Sequence, residues 1–511
     1  MVNIQYLFLV LFLKGIILLT SANPYPVKWK KECPHECQCP ITSLSKSTLM
    51  SRWFTNQEVK LALCTVQKET KLLQMFQNVP TDTEILTVLQ NTEVSYNTLL
   101  PEMISHLQSL QGIDLQGEGN KKKLKLSSQV FHVLPHLKFL SLQQINLGNV
   151  EKLFSNLQVL EIIQIINCNI GVVKWEMLEG LKSLKELHFI HSGIKELGDF
   201  SFYGAPELKR LFLSHNDLFS VQSNAFIGLR KLEILDLSNN HLDHLSSLTF
   251  PSLPKLQWLE LKHNPIKVIF PHCFQLLNST QRLTLGHSQQ PTHLMKFSFR
   301  GLQSLIFLHI PNVDNDILLE HMFYGLNSLL HLNLNGRIMV LGDKAFMGAH
   351  KALKKLVLHN CKLRKISNNS FQGLYHLLSL DLSYNQLRYI SEYSLQPLKS
   401  LKELILSQNK LTVLSEEIFQ IVSLQALRLD ANPWNCTCSM LVWKGNLTAK
   451  VSYTISKACN SAKNSSCSDF ETIYKDDKRI IPRCEYPNKF QGRNVFEAIK
   501  ILKCNETIHS S

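Results

Sequence analysis

One short phrase, Leu-x-Leu-x-x-Asn-x-Leu, returns along this chain at a nearly fixed interval. It stands at Leu235–Leu242 (LDLSNNHL), at Leu380–Leu387 (LDLSYNQL) and at Leu404–Leu411 (LILSQNKL). Its leucines fit neither the two-residue period of a strand nor the 3.6 of a helix. Aligned on the sixth position, the phrase places markers at Cys168, Ser192, Asn216, Asn240, Asn264, Ser288, Val313, Arg337, Cys361, Asn385, Asn409 and Asn432, with Ile145 ahead of them. Successive markers lie 24 residues apart, except for one step of 25 (Ser288 to Val313) and two of 23 (Ile145 to Cys168, Asn409 to Asn432). Leu86–Asn91 and Leu110–Leu115 read as degenerate earlier copies, giving roughly 14 to 15 repeats. A chain with such a period buries its apolar residues by stacking its repeats, which makes it a solenoid.

The phrase has a physical reading. Leu-x-Leu forms a short strand with both leucines turned inward, and the residues between and beside them face out. Adjacent copies pair in parallel at about 4.8 Å. The chain then turns sharply, leaving backbone groups in need of partners. An inward Asn, which both donates and accepts, supplies them. Cys168, Cys361 and Ser192 do part of this; Val313 and Arg337 do not, so the ladder is expected to be weakest over residues 305–340. A second column supports the alignment. Phe131, Phe154, Phe202, Phe226, Phe250, Phe274, Phe299, Phe323 and Phe371 stand 14 residues ahead of their markers. Phe346 and Phe419 are displaced by one residue, and Leu178 and Leu395 fill the column elsewhere. These rings are expected to stack as a continuous core on the convex side.

Residues 1–22 read as a secretory signal peptide: Tyr6–Leu19 (YLFLVLFLKGIILL) is apolar but for Lys14 and ends in Thr20-Ser21-Ala22. That run is short for a membrane span, and no later segment approaches the roughly 18 apolar residues a span requires. The C-terminus lacks the hydrophobic tail of a lipid-anchor signal. Secretion makes the 13 cysteines readable as disulfides. Sequons at Asn278, Asn368, Asn435, Asn446, Asn464 and Asn505 agree with it, those from Asn435 onward forming a cluster. The net charge of +14 is widely spread, with small knots at Lys28–Lys31 and Lys121–Lys123. It fits a solvated surface or, more sharply, a polyanion such as a matrix glycan. Secretion argues against nucleic acid.

The repeated phrase resembles that of extracellular leucine-rich-repeat proteins of the 24-residue type. The resemblance implies a solenoid of α/β type: a horseshoe with a parallel concave sheet, an irregular or short-helical convex side and disulfide-bonded caps. Cys33-Pro-His-Glu-Cys37-Gln-Cys39 with Cys64 resembles the family's N-terminal cap, implying Cys33–Cys39 and Cys37–Cys64. The gap from Cys39 to Cys64 is longer than usual and points to an inserted loop containing Trp53. Asn432-Pro-Trp434-Asn-Cys436-Thr-Cys438, and the stretch from Cys484 to Cys504, resemble the C-terminal cap, implying Cys436–Cys484 and Cys438–Cys504. Cys459 and Cys467 remain, in an insert carrying Asn446 and Asn464, and are expected to bridge locally. Cys168, Cys273 and Cys361 face inward, too far apart in the stack to pair. The organisation is then a signal peptide (1–22), an N-terminal cap (23–80), repeats (81–432) and a C-terminal cap with a glycosylated insert (433–511).

No motif for chemistry rises above background: there is no phosphate-binding glycine loop, Gly-x-Ser-x-Gly, HExxH or zinc-spaced cysteine pair. The expectation is a non-enzyme without cofactor, a secreted binding protein that engages another macromolecule, above all an extracellular protein, on its concave face. The resemblance suggests a soluble receptor or decoy, or a carrier subunit or inhibitor of a secreted enzyme. The alternatives are a matrix protein binding collagen or sulfated glycans, and the ectodomain of a receptor lacking its membrane anchor. The outward strand positions supply the candidate site. Just before the markers stand His191, His215, Asn239, His263, His287 and Asn312; the central column holds His188, Phe212, Asp236, Glu260, Thr284 and His309; the outer one includes Arg210, Trp258, Arg282 and Phe307. Aromatics amid histidines and mixed charge suit a recognition patch. The other reading is that a histidine before the marker is merely a polar residue tolerated at an open position. His191 is expected beside His215 and His263 beside His287, pairs with no third metal ligand evident. Acidification through about pH 6.5 is expected to charge this face, weakening a ligand held by aromatic or cationic groups and tightening an acidic one.

Overall fold

The computed structural model of the protein describes residues 33–43, 58–67, 70–90, 98–117, 123–148, 151, 153–154, 157–415, 418, 421, 423–441, 481–502 and 504. They divide into two units, one of residues 1–241 with 251–256, the other of 242–250 with 257–511. The signal-peptide reading, the Trp53 loop, Phe419, the Cys459–Cys467 bridge and the sequons at Asn446, Asn464 and Asn505 lie outside the described residues.

In the first unit the Leu-x-Leu segments form a ladder of parallel strands: β1 (Glu58–Val66), β2 (Ile85–Gln90), β3 (Gly112–Gln116), β4 (Phe139–Gln143), β5 (Ile162–Ile166), β6 (Glu186–Ile190), β7 (Arg210–Phe212) and β8 (Ile234–Asp236). Equivalent leucines stand in register, Leu187 opposite Leu211 and Leu211 opposite Leu235, and all three are fully buried. Ile85 pairs with Gly112 and Gly112 with Phe139, so these early repeats are 27 residues long. The second unit continues the numbering with β9 (Trp258–Glu260), β10 (Arg282–Thr284), β11 (Phe307–Asp314), β12 (His331–Arg337), β13 (Lys355–Val357), β14 (Ser379–Asp381), β15 (Glu403–Ile405) and β16 (Ala426–Arg428), again parallel.

Two side-chain columns hold each stack. Phe202 and Phe226 stack at 5.9 Å in the first unit. In the second, Phe250, Phe274, Phe299, Phe323, Phe346 and Phe371 form an unbroken run with ring centres 5.8 to 6.2 Å apart. The asparagines satisfy the turns as their chemistry requires. Asn216 Oδ1 accepts from the amides of Ser192 and Ile194, while its Nδ2 donates to the carbonyls of Phe189 and Leu213. Asn385 repeats the pattern on Cys361, Leu363, Leu358 and Leu382. Cys168 and Ser192 do part of it: the Cys168 sulfur accepts from Ile145, and the Ser192 hydroxyl donates to Ile165 and Ile190.

The expected weak segment at 305–340 is corrected by the structure. Here the strands themselves lengthen, and β11 pairs with β12 as far as Asp314 opposite Arg337, through a register shift after Ile310. Asn315, two residues past the Val313 marker, is buried and ties the neighbouring repeat differently: its Oδ1 accepts from the Leu294 amide and its Nδ2 donates to the Leu294 carbonyl. Arg337 turns outward and pairs with Asp316 at 2.7 Å. Backbone pairing thus replaces the missing ladder positions.

Both ends carry the four cap disulfides, Cys33–Cys39, Cys37–Cys64, Cys436–Cys484 and Cys438–Cys504. The N-terminal cap is continuous with the sheet: Cys37 lies antiparallel to Cys64 on β1, while Cys64 is in register with Val88 on β2. At the other end Trp434 is fully buried and its indole donates to the Leu429 carbonyl at 2.9 Å. A closing helix, α1 (Val495–Ile501), is capped by the Asn494 side chain.

Candidate binding face

The turn after most strands from β4 onward forces one residue into the left-handed region. Gln144, Asn167, His191, His215, Asn239, His263, Asn360, Tyr384, Gln408 and Ala431, each directly before a marker, have φ between 50° and 61°. Their amides donate to the next repeat, His191 to the Ser214 carbonyl, His215 to Ser238 and His263 to Gly286. Asn and His are enriched in this conformation among non-glycine residues, so backbone geometry accounts for much of the histidine column. His287 is the exception, because in that repeat Gly286 takes the positive φ.

In the first unit β6 and β7 bring together a compact group. Glu186 and His188, two residues apart on β6, are both buried, and the His188 ring nitrogen lies 2.7 Å from a Glu186 oxygen. Arg210, opposite Glu186 on β7, donates to the other oxygen. Burial works to raise the Glu186 carboxyl, but His188 and Arg210 outweigh it and hold it below its usual value. His188 also stacks on Phe212 at 4.3 Å, and the rings of His191 and His215 stack at the same separation. His188 was expected to be open to solvent; it is 8% exposed, because Glu186 pins it against the sheet. Glu186 is the residue the sequence reading missed, and its place two residues before His188 and 24 before Arg210 is the signal that marks it.

The second unit arranges its outward residues differently. Arg282 on β10 lies between two rings, its guanidinium carbon 5.0 Å from the Trp258 ring centre and 5.8 Å from that of Phe307. Its side chain has no ion-pair or hydrogen-bond partner among the described residues. Glu260 accepts from the Thr284 hydroxyl. Three buried polar atoms lack a partner here: Trp258 Nε1, His309 Nδ1 and, on the adjacent strand opposite His309, Asn333 Oδ1. His263 meets His287 edge to face at 5.8 Å. Among the described residues no group of three or more His, Cys, Asp or Glu could hold a metal ion.

Burial lowers the affinity of His191 for a proton; burial, with Lys262 and His287, does the same for His263, and burial, opposed by a backbone hydrogen bond and aided by Lys262, for His309. The charging of these three on acidification therefore begins below the pH expected from the sequence. A histidine with a lowered folded value leaves stability intact above about pH 6.5, where both states are neutral. As pH falls from there, the unfolded chain takes the proton first and the folded state loses ground. The melting temperature is expected to fall between pH 7 and pH 5.5, and less steeply in His309→Gln. Parallel pH profiles for the two proteins would remove His309 from that account.

Of the described sequons, Asn278 and Asn368 are exposed, and Asn435 is half-buried within a strand pair. Cys168, Cys273 and Cys361 are free and buried, and burial pushes the Cys168 thiol up to about 11. No helix among the described residues is long and apolar enough to cross a membrane.

The ladder, the ring column and the asparagine turns define a leucine-rich-repeat solenoid with disulfides near both ends. The leucine-rich-repeat family model matches residues 184–242, 230–289 and 351–411. Among solved structures the fold is similar to Toll from Drosophila, in its complex with Spatzle, at 18% identity and a TM-score of 0.60, over 80% of this chain and 56% of that one. It is also similar to TLR13 in its complex with ssRNA13, at 22% identity and a TM-score of 0.52, over 76% of this chain and 64% of that one. The chain thus spans less than two thirds of the length of either. No curated protein matches the sequence at a significant level.

Proposed function

We propose that this is a secreted glycoprotein that binds another protein through the outward face of its strands, without catalysis, as a soluble receptor or decoy or as a carrier or inhibitor. The observation that carries the reading is the group of half-buried aromatic rings around an exposed cation on that face, Trp258 and Phe307 with Arg282 between them. Trp, Arg and aromatic residues dominate binding energy where they are partly desolvated. The cap disulfides and the exposed Asn278 and Asn368 support an extracellular setting. The Toll structure, solved with a protein ligand, supports a protein partner, while the TLR13 structure, solved with RNA, makes nucleic acid an outcome to be tested.

Site-specific photo-crosslinkers at Phe212 and Trp258, used in extracellular fluid, identify the partner. Phe212→Ala and Trp258→Ala are then each expected to weaken its binding about 30-fold, with an unchanged melting temperature. Unaltered affinity in both would move the site to a cap or to the other side of the repeats. Retention on heparin well above physiological salt would favour a matrix role binding sulfated glycans.

A further inference from the structure

The two units use one strand position in two ways. In the first, Arg210 stands opposite Glu186 on the preceding strand and donates to its carboxylate, which His188 also holds. In the second, Arg282 stands opposite Trp258 on the preceding strand and Phe307 on the following one. The arginine is in place, its walls are aromatic, and the carboxylate is not supplied by a described residue. A guanidinium presents a planar fork of donors matched to a carboxylate, and a charge-assisted pair of this kind is about twice as strong as a neutral hydrogen bond.

The surroundings point the same way. Among the eight outward residues Trp258, Glu260, Arg282, Thr284, Phe307, His309, His331 and Asn333, the only acid is Glu260, already engaged by Thr284. Lys262 is close enough to act on His309, and Lys354 and Lys355 on His331, so cations flank these strands.

We propose that β9 to β12 form a seat for an acidic segment of a protein partner, in which Arg282 takes a carboxylate between the Trp258 and Phe307 rings. This rests on the reading of the strand face as the binding surface and adds the chemistry of what it takes. The test uses the full chain and three probes: a fluorescent peptide rich in Asp and Glu, its counterpart with Asn and Gln, and a heparin oligosaccharide. The acidic peptide is expected to bind and the amide form to bind at least tenfold more weakly. Arg282→Ala is expected to lose about tenfold for the acidic peptide, and Arg282→Lys to recover only part, because lysine offers no fork. Arg300→Ala, which removes an equal charge from an exposed site outside the strands, is expected to change binding less than twofold. Equal binding of the two peptides, or equal loss in the Arg282 and Arg300 variants, overturns the proposal. Heparin binding that is tighter than peptide binding and indifferent to Arg282 overturns it in favour of sulfated glycans. If crosslinking at Trp258 still captures a partner after such a result, the seat falls and the binding face stands; if crosslinking also fails, both fall.

Discussion

Asn216→Ala is expected to destabilise the first unit by about 4 kcal/mol, in the far tail of single substitutions. The side chain engages the amides of Ser192 and Ile194 and the carbonyls of Phe189 and Leu213, all in a buried turn. Alanine removes that partner from these groups and from the Ser214 carbonyl, though Leu213 keeps the Asn240 side chain, and a buried unsatisfied group costs about 1–3 kcal/mol. Water reaching some of them keeps the total below the full sum. Ser192→Ala removes a single hydroxyl shared between Ile165 and Ile190, so its cost is expected near 1 kcal/mol. Denaturant midpoints for the two variants give the comparison. A loss under about 1 kcal/mol for Asn216→Ala would mean that the turns do not depend on their asparagines.

Phe299→Ala should cost a comparable amount for a different reason. Its ring is fully buried, between Phe274 at 6.2 Å and Phe323 at 6.0 Å. Removing a buried ring costs about 3–5 kcal/mol through lost transfer energy and the cavity left behind. Each repeat touches only its neighbours, so the weakness should spread outward from that point. Hydrogen exchange is expected to show faster opening in β10 to β12 than in β15 and β16. A uniform loss along the second unit would mean that it unfolds as one cooperative block rather than repeat by repeat.

The repeats were legible where each position has one chemical task. Leucine fills the inside of a strand, phenylalanine the opposite side of the stack and asparagine the turn, so three columns can be aligned against one another. They fade where the task is performed otherwise. The repeat of Gly112 is 27 residues long, out of step with the later period, yet Gly112 pairs in register with Ile85 and Phe139. At Val313 and Arg337 the missing asparagine signalled weakness, whereas the strands lengthen there and pair through Asp314 and Arg337. Backbone pairing leaves no mark on side-chain identity. The histidines show the opposite difficulty: a conspicuous pattern whose main cause is the left-handed turn. His188 looked like an outward ring until Glu186, a residue with no place in the repeat pattern, was seen to hold it down. Disulfides in the caps followed from family resemblance, since pairings cannot be deduced from spacing alone.

The left-handed turn has a consequence for how such a protein can change. At the position before the marker the backbone admits a narrow alphabet, here Gln, Asn, His, Tyr and Ala, and no β-branched residue stands there with positive φ. Within that alphabet an exchange alters charge and hydrogen bonding at the edge of the proposed binding face while the turn keeps its shape. The neighbouring outward strand positions carry no such filter and range from Trp258 to Thr284 and Asn333. A new specificity can therefore be written mainly on the strands, with fine adjustment at the turns, and a combinatorial library that respects this division would spend few of its members on chains that fail to fold.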